Sequence, residues 1–241
     1  MAENTGEEVV SNRTLQEFDF VPVRSGRKIV GLLDRARLIE TAQAERDRRV
    51  ADLLHRLDES NLMSADDGIL TFVETADKSP CRLLLDRGRV AGIVTISDLQ
   101  RLPVRPALFL LVTHVELLMA QMIRLNYQSS EDWLDKLPCE RQKCVRKKYA
   151  ELQRANLEID LITATEFADK KTIVQQCTTL PVSKNKANRE LNRIQWLRDH
   201  LAHAGDYANS RSNALKTIKA VRFCREWIGH LQSIAVETQS A

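Results

Sequence analysis

Apolar residues change their spacing once along this chain, at Leu102-Pro103-Val104-Arg105-Pro106. Ahead of that point lie short apolar runs bounded by turn residues, the pattern of strands. Beyond it, Leu108, Leu111, Val112, Val115, Leu118, Met119, Met122 and Leu125 recur three and four apart, the pattern of a helix with one apolar face. Two patterns laid end to end require two differently built cores. The expected class is α+β, with a mixed α/β part over residues 1–103 and an all-helical part over residues 104–241.

The first part contains the same pattern twice. Phe20 to Val23 reads as a strand, Ser25-Gly26 as a turn and Lys28 to Leu33 as a second strand. Asp34 then caps a helix running towards Leu54. In the second copy Cys81 to Leu85 is a strand, Asp86-Arg87-Gly88 a turn and Val90 to Val94 a strand, with Thr95 opening a helix at Ser97-Asp98-Leu99. The two copies are about 60 residues apart, and an internal repeat of this kind sets the architecture.

This repeat resembles a tandem of cystathionine-β-synthase (CBS) domains, the Bateman module. The segment Gly92-Ile-Val-Thr95-Ile-Ser-Asp98-Leu99 is similar to that family's G-h-h-T-x-x-D segment. The resemblance implies an adenine nucleotide (AMP, ADP or ATP) as a regulatory ligand at Gly92, Thr95 and Asp98, and a module that pairs with itself. The chemistry is apt, because a carboxylate accepts hydrogen bonds from two vicinal ribose hydroxyls. Thr-x-x-Asp at such a junction is equally a capping box. The first copy has Asp34 at the Thr position and Arg37 at the Asp position, so the ribose clamp is lost there and one site at most is expected. That copy also has only about 20 residues ahead of its first strand, so its opening helix and strand are expected to be short.

Charge follows the same division. Residues 1–103 carry 15 Lys and Arg against 18 Asp and Glu, and residues 104–241 carry 21 against 15. The basic second part is the better polyanion binder. No apolar run is expected to span a membrane, since Pro106 to Met122 is short and holds His114 and Glu116. The acidic N-terminus is unlike a secretory signal. Five scattered cysteines, Cys81, Cys139, Cys144, Cys177 and Cys224, read as reduced thiols of a cytoplasmic protein. Cys139 and Cys144 have no matching second pair, which argues against a zinc site.

Beyond Pro106 four or five helices are expected: the one at Leu108, then Glu131 to Asn156 with Pro138 interrupting it or starting its main body, Glu158 to Cys177, Lys186 to His203 and Ser210 to Ile234. Residues 179–185 read as a loop and Gly205 as a helix stop. The fourth helix ends in Trp196-Leu-Arg198-Asp199-His200-Leu-Ala-His203. Arginine is a permanent, bidentate phosphate ligand, and histidine exchanges protons near neutral pH. Together they are a minimal kit for breaking a phosphodiester without a metal. Residues five apart lie about 140° round a helix and about 7.5 Å along it, so a second copy is needed to bring these groups together round one phosphate. Asp199 and His203, at i and i+4, share a face, and a hydrogen bond between them would fix the imidazole tautomer.

Arg198, four intervening residues and His203 resemble the R-x4-6-H motif of HEPN domains, an all-helical family with many metal-independent ribonucleases. The resemblance implies a homodimer with a composite site. There the RNA 2′-hydroxyl attacks the adjacent phosphorus, with Arg198, Asp199 and His203 as the catalytic residues and no metal. It also implies a toxin or anti-phage effector, regulated by nucleotide or held by an antitoxin. The alternative is a non-catalytic nucleotide sensor whose helical part binds a partner protein. The basic run Arg141 to Lys148 either guides RNA or is a solvated helix face, and Glu116 can reach the cleft although nothing local requires it.

Overall fold

The computed structural model describes residues 15, 17–44, 49–155, 159–177, 180, 182–203 and 205–239. Among them are nine helices and two three-stranded sheets, an α+β protein. The chain forms two units, Met1–Gly68 with Lys78–Thr95, and Ile69–Asp77 with Ile96–Ala241.

In the first unit, β1 (Phe20–Ser25) and β2 (Lys28–Asp34) pair antiparallel around Gly26, whose φ of +59° suits glycine. β3 (His55–Arg56) adds antiparallel to β2, with Gly31 opposite Arg56. A Cβ on Gly31 would lie 2.6 Å from the His55 carbonyl oxygen, so that backbone approach requires glycine. In the second sheet β4 (Leu62–Ser64) runs parallel to β5 (Cys81–Asp86), which pairs antiparallel with β6 (Arg89–Thr95) around Arg87-Gly88. Both hairpins fall where alternation and turn residues predict them. Leu32, Cys81 and Leu83 form one core with Phe20, Ile29 and Val90 packed on it.

Asp34 caps α1 (Arg35–Ala44), accepting from the Ala36 N–H at 2.9 Å. The helix expected to run on towards Leu54 does not do so as one piece. Arg49 is extended, at φ −73° and ψ 143°, and α2 (Val50–Leu53) starts afresh after it. The expectation of a short opening to the first copy falls largely on residues 1–14, outside the described residues.

The second unit takes in α3 (Ile69–Val73), which sequence reading left in the first part. Phe72 and Val73 are wholly buried. Two arginines from later in the chain hold the end of this segment. The Arg222 guanidinium donates to the Glu74 carbonyl at 2.6 Å and pairs with Asp77, and Arg225 donates to the Glu74 carboxylate at 2.8 Å.

After a 3-10 turn at Ile96–Gln100, α4 (Val104–Asn126) starts with Pro103 at its N-cap and Pro106 in its first turn, where the missing N–H costs nothing. Its buried face includes Leu108, Leu111, Val112, Val115, Met119 and Met122, as the spacing predicts. Contrary to expectation, α4 is long and apolar enough to cross a membrane by length and composition. Half of that stretch is buried inside the protein, as in the core helix of a bundle.

Ser129 and Asp132 form a reciprocal cap on α5 (Ser130–Leu134), and Pro138 separates it from α6 (Cys139–Arg154). The single helix expected from Glu158 to Cys177 is a 3-10 turn at Leu161–Ala164 followed by α7 (Phe167–Val174). Thr165 breaks it, extended at ψ 153° with its hydroxyl on the Ile162 carbonyl at 2.6 Å. Ser183 then caps α8 (Lys184–Ala202), and α9 (Arg211–Gln239) closes the unit.

Cys139 and Cys144 are exposed on α6, while Cys81, Cys177 and Cys224 are buried. Burial raises the thiol pKa of Cys177 and Cys224. Burial, and then the neighbouring Cys177, push the Tyr127 hydroxyl up to about 12. At pH 7.5 iodoacetamide is therefore expected to alkylate Cys139 and Cys144 first, and Cys177 and Cys224 only after unfolding. Peptide mass mapping of the folded protein checks this, and rapid labelling of Cys224 would contradict it.

Candidate functional site

The motif residues occupy the last turns of α8. Leu191, Ile194, Leu197 and Leu201 bury one face, and Arg198, Asp199 and His200 flank that stripe half-exposed. His203 is the C-cap, exposed to solvent, with its backbone N–H on the Asp199 carbonyl at 3.1 Å.

The Asp199 carboxylate lies 3.4 Å from an Arg198 guanidinium nitrogen. Among the described residues the hydrogen bond expected between Asp199 and His203 is not formed, and the Asp199 carboxylate faces Arg198 instead. An exposed pair of this kind is weak, and the guanidinium keeps donors for a phosphate. His200 is tied into the helix. Its Nδ1 lies 2.8 Å from the Trp196 carbonyl oxygen, and its ring centroid is 4.4 Å from that of Trp196.

A lysine invisible to sequence reading borders the motif. Lys171 on α7 donates to Asn192 Oδ1 and Gln195 Oε1, each at 2.7 Å. Burial lowers its ammonium pKa, and the nearby Asp199 carboxylate opposes that shift. A second such residue is Arg105 on α4, which donates to the Leu201 and Gly205 carbonyls, each at 3.0 Å. Arg105 reaches its partners across about a hundred positions, beyond any local pattern.

The basic run on α6 is largely neutralised. Arg141 holds the buried Asp169 bidentately at 2.9 and 2.7 Å, Lys143 pairs with Glu140 at 2.8 Å, and Arg146 pairs with Glu131. Three of its five cations therefore already face carboxylates. Glu116 likewise pairs with the Lys170 ammonium at 3.0 Å.

The proposed nucleotide residues are divided. Gly92 and Thr95 lie on β6, opposite Leu84 and Cys81. Asp98 lies in the 3-10 turn of the second unit and pairs with Arg101 at 2.7 Å. The first unit holds a cavity of about 330 Å³ lined from both copies of the repeat. Phe20, Leu32, Pro80 and Cys81 form its apolar wall, and Asp34, His55, Arg56, Asp58 and Lys78 its polar rim. Hydrogen bonds from the Ser60 hydroxyl and amide hold the Asp58 carboxyl below its ordinary pKa. The first copy, expected to lack a ribose clamp, lines this cavity through Asp34. Among the described residues no three His, Cys, Asp or Glu side chains gather as a metal site.

The chain matches no family model and no curated protein.

Proposed function

We propose that this protein is a nucleotide-regulated endoribonuclease that cuts single-stranded RNA without a metal, as a two-fold dimer. The observation that carries this reading is the end of α8. There His203 is exposed and Arg198 is half-exposed beside Asp199, while the His200 and Trp196 rings pack on each other. The reaction is transesterification. The 2′-oxygen bonds to phosphorus, the bond to the 5′-oxygen breaks, and the products are a 2′,3′-cyclic phosphate and a 5′-hydroxyl end. His203 of one protomer removes the 2′-hydroxyl proton, the partner's His203 protonates the leaving oxygen, and Arg198 neutralises the phosphoryl oxygens. Need for the 2′-hydroxyl selects RNA over DNA.

In this reading the first unit binds an adenine nucleotide and favours one dimer geometry, because a ligand shifts only an equilibrium whose states it binds differently. The role is that of a cytoplasmic toxin or defence effector. A second reading has the helical unit bind a partner protein without cutting. The exposed Phe109, Leu110 and Leu117 on α4 favour it, since exposed apolar patches mark interaction surfaces.

Cleavage of a single-stranded RNA panel in excess EDTA, with and without AMP, ADP and ATP, tests the proposal. Wild type is expected to cut and Arg198→Ala to lose the activity, with a nucleotide changing the wild-type rate. A folded wild-type dimer that cuts nothing would favour the partner-binding reading.

A further inference from the structure

We infer that Arg105 is a positioning residue for His203, acting through the backbone at the end of α8. The kinetic consequence rests on the ribonuclease reading, while the geometry stands without it. The last carbonyls of a helix have no partner within the helix. Here Arg105 supplies one guanidinium nitrogen to the Leu201 carbonyl and the other to the Gly205 carbonyl, each at 3.0 Å. These acceptors lie two residues before and two residues after His203. A planar fork can hold two separate carbonyls at once, whereas a lysine offers a single point charge.

The brace is itself braced. The Arg105 guanidinium carbon lies 5.3 Å from the centroid of the buried Tyr207 ring, where the ring face attracts a cation. The Thr217 hydroxyl donates to the Tyr207 carbonyl at 2.6 Å. From the 3-10 turn, the Gln100 side chain accepts from the Ala208 N–H at 2.8 Å and donates to Asp206 at 3.3 Å. The stretch after His203 is thus tied down at Gly205, Asp206, Tyr207 and Ala208. His203 contributes one tether of its own, the N–H bond to Asp199, and its ring is exposed. Where that ring points is set by the backbone on either side of it, which Arg105 holds.

The test reads His203 directly by its imidazole C–H resonances, assigned by their loss in His203→Ala, together with RNA cleavage. Arg105→Gln is expected to shift or broaden the His203 signal and leave His114 and His230 in place. It should lower kcat about 10- to 100-fold with KM within about threefold, since displacement of a reacting group by about 1 Å costs that much. Arg105→Lys should recover part of both losses. Arg222→Gln, which breaks a comparable guanidinium pair with Asp77 away from α8, should leave the His203 signal unchanged. An unchanged His203 signal in folded Arg105→Gln, or the same change in Arg222→Gln, overturns the inference. If Arg105→Gln does not fold, Arg105→Met, which keeps the stem and removes the donors, decides, and a wild-type His203 signal there overturns the inference. If wild type cuts no RNA, the ribonuclease reading fails by itself, and the imidazole signal still decides the brace.

Discussion

Glu116→Ala is expected to destabilise the helical unit by about 3 kcal/mol, the scale for leaving one member of a buried ion pair without its partner. The Lys170 ammonium is buried, with its side chain 7% exposed. It donates to Glu116 Oε1 at 3.0 Å and to the Thr165 carbonyl at 2.9 Å. Removing the carboxylate leaves a buried cation with one neutral acceptor. The low end of the expected range applies because the Glu116 side chain is 24% exposed, so water can replace part of what is lost. The double variant Glu116→Leu/Lys170→Met should return most of the loss, because no charge then remains to be desolvated. Guanidinium chloride unfolding of the three proteins checks this. A single variant within about 0.5 kcal/mol of wild type would show that Lys170 is solvated, since only surface changes are usually that small.

That pair also marks where local pattern stops carrying information. The hairpins were legible because Gly26 and Gly88 sit between alternating runs and both adopt positive φ. Pro138 announced the break between α5 and α6 for an equally local reason, its fixed φ and missing N–H. The helix expected over Glu158 to Cys177 is not continuous, and its first part, Ile159 to Thr165, is rich in β-branched residues. It is split by the Thr165 hydroxyl and the reciprocal Glu166–Asp169 cap, side-chain bonds that compete with helix continuation. Ile69–Asp77 sits in a stretch that reads as part of the first unit. It joins the second because Glu74 and Asp77 meet arginines about 150 residues later. The candidate site divides the same way. Arg198, Asp199 and His203 fall within six consecutive positions at the end of one helix, so spacing alone finds them. Arg105, Lys171 and the Glu116–Lys170 pair become visible only once α4, α7 and α8 are packed.

The largest expected effect concerns the chemistry itself. His203→Ala should lower the single-turnover rate of RNA cleavage about 10²- to 10⁴-fold, the usual contribution of a positioned proton-transfer group. The upper part of that range is the better expectation, because in a two-fold dimer one substitution removes both the base and the acid. RNA affinity should change little, since the exposed imidazole has no long-range field comparable to that of Arg198. The substrate separates the two roles. With sulfur in place of the bridging 5′-oxygen, the leaving group departs without a proton, so His203→Ala should keep the part of the loss due to the missing base and recover the part that the acid supplied. Arg198→Ala should not, because its deficit of about 10²- to 10³-fold lies in the charge on the non-bridging oxygens. A single 2′-deoxy nucleotide at the scissile position should abolish cutting there by wild type, since the attacking oxygen is gone. Wild-type rates from His203→Ala, or continued cutting at the deoxy position, would remove α8 from the chemistry, leaving Arg198 and His203 as a binding surface.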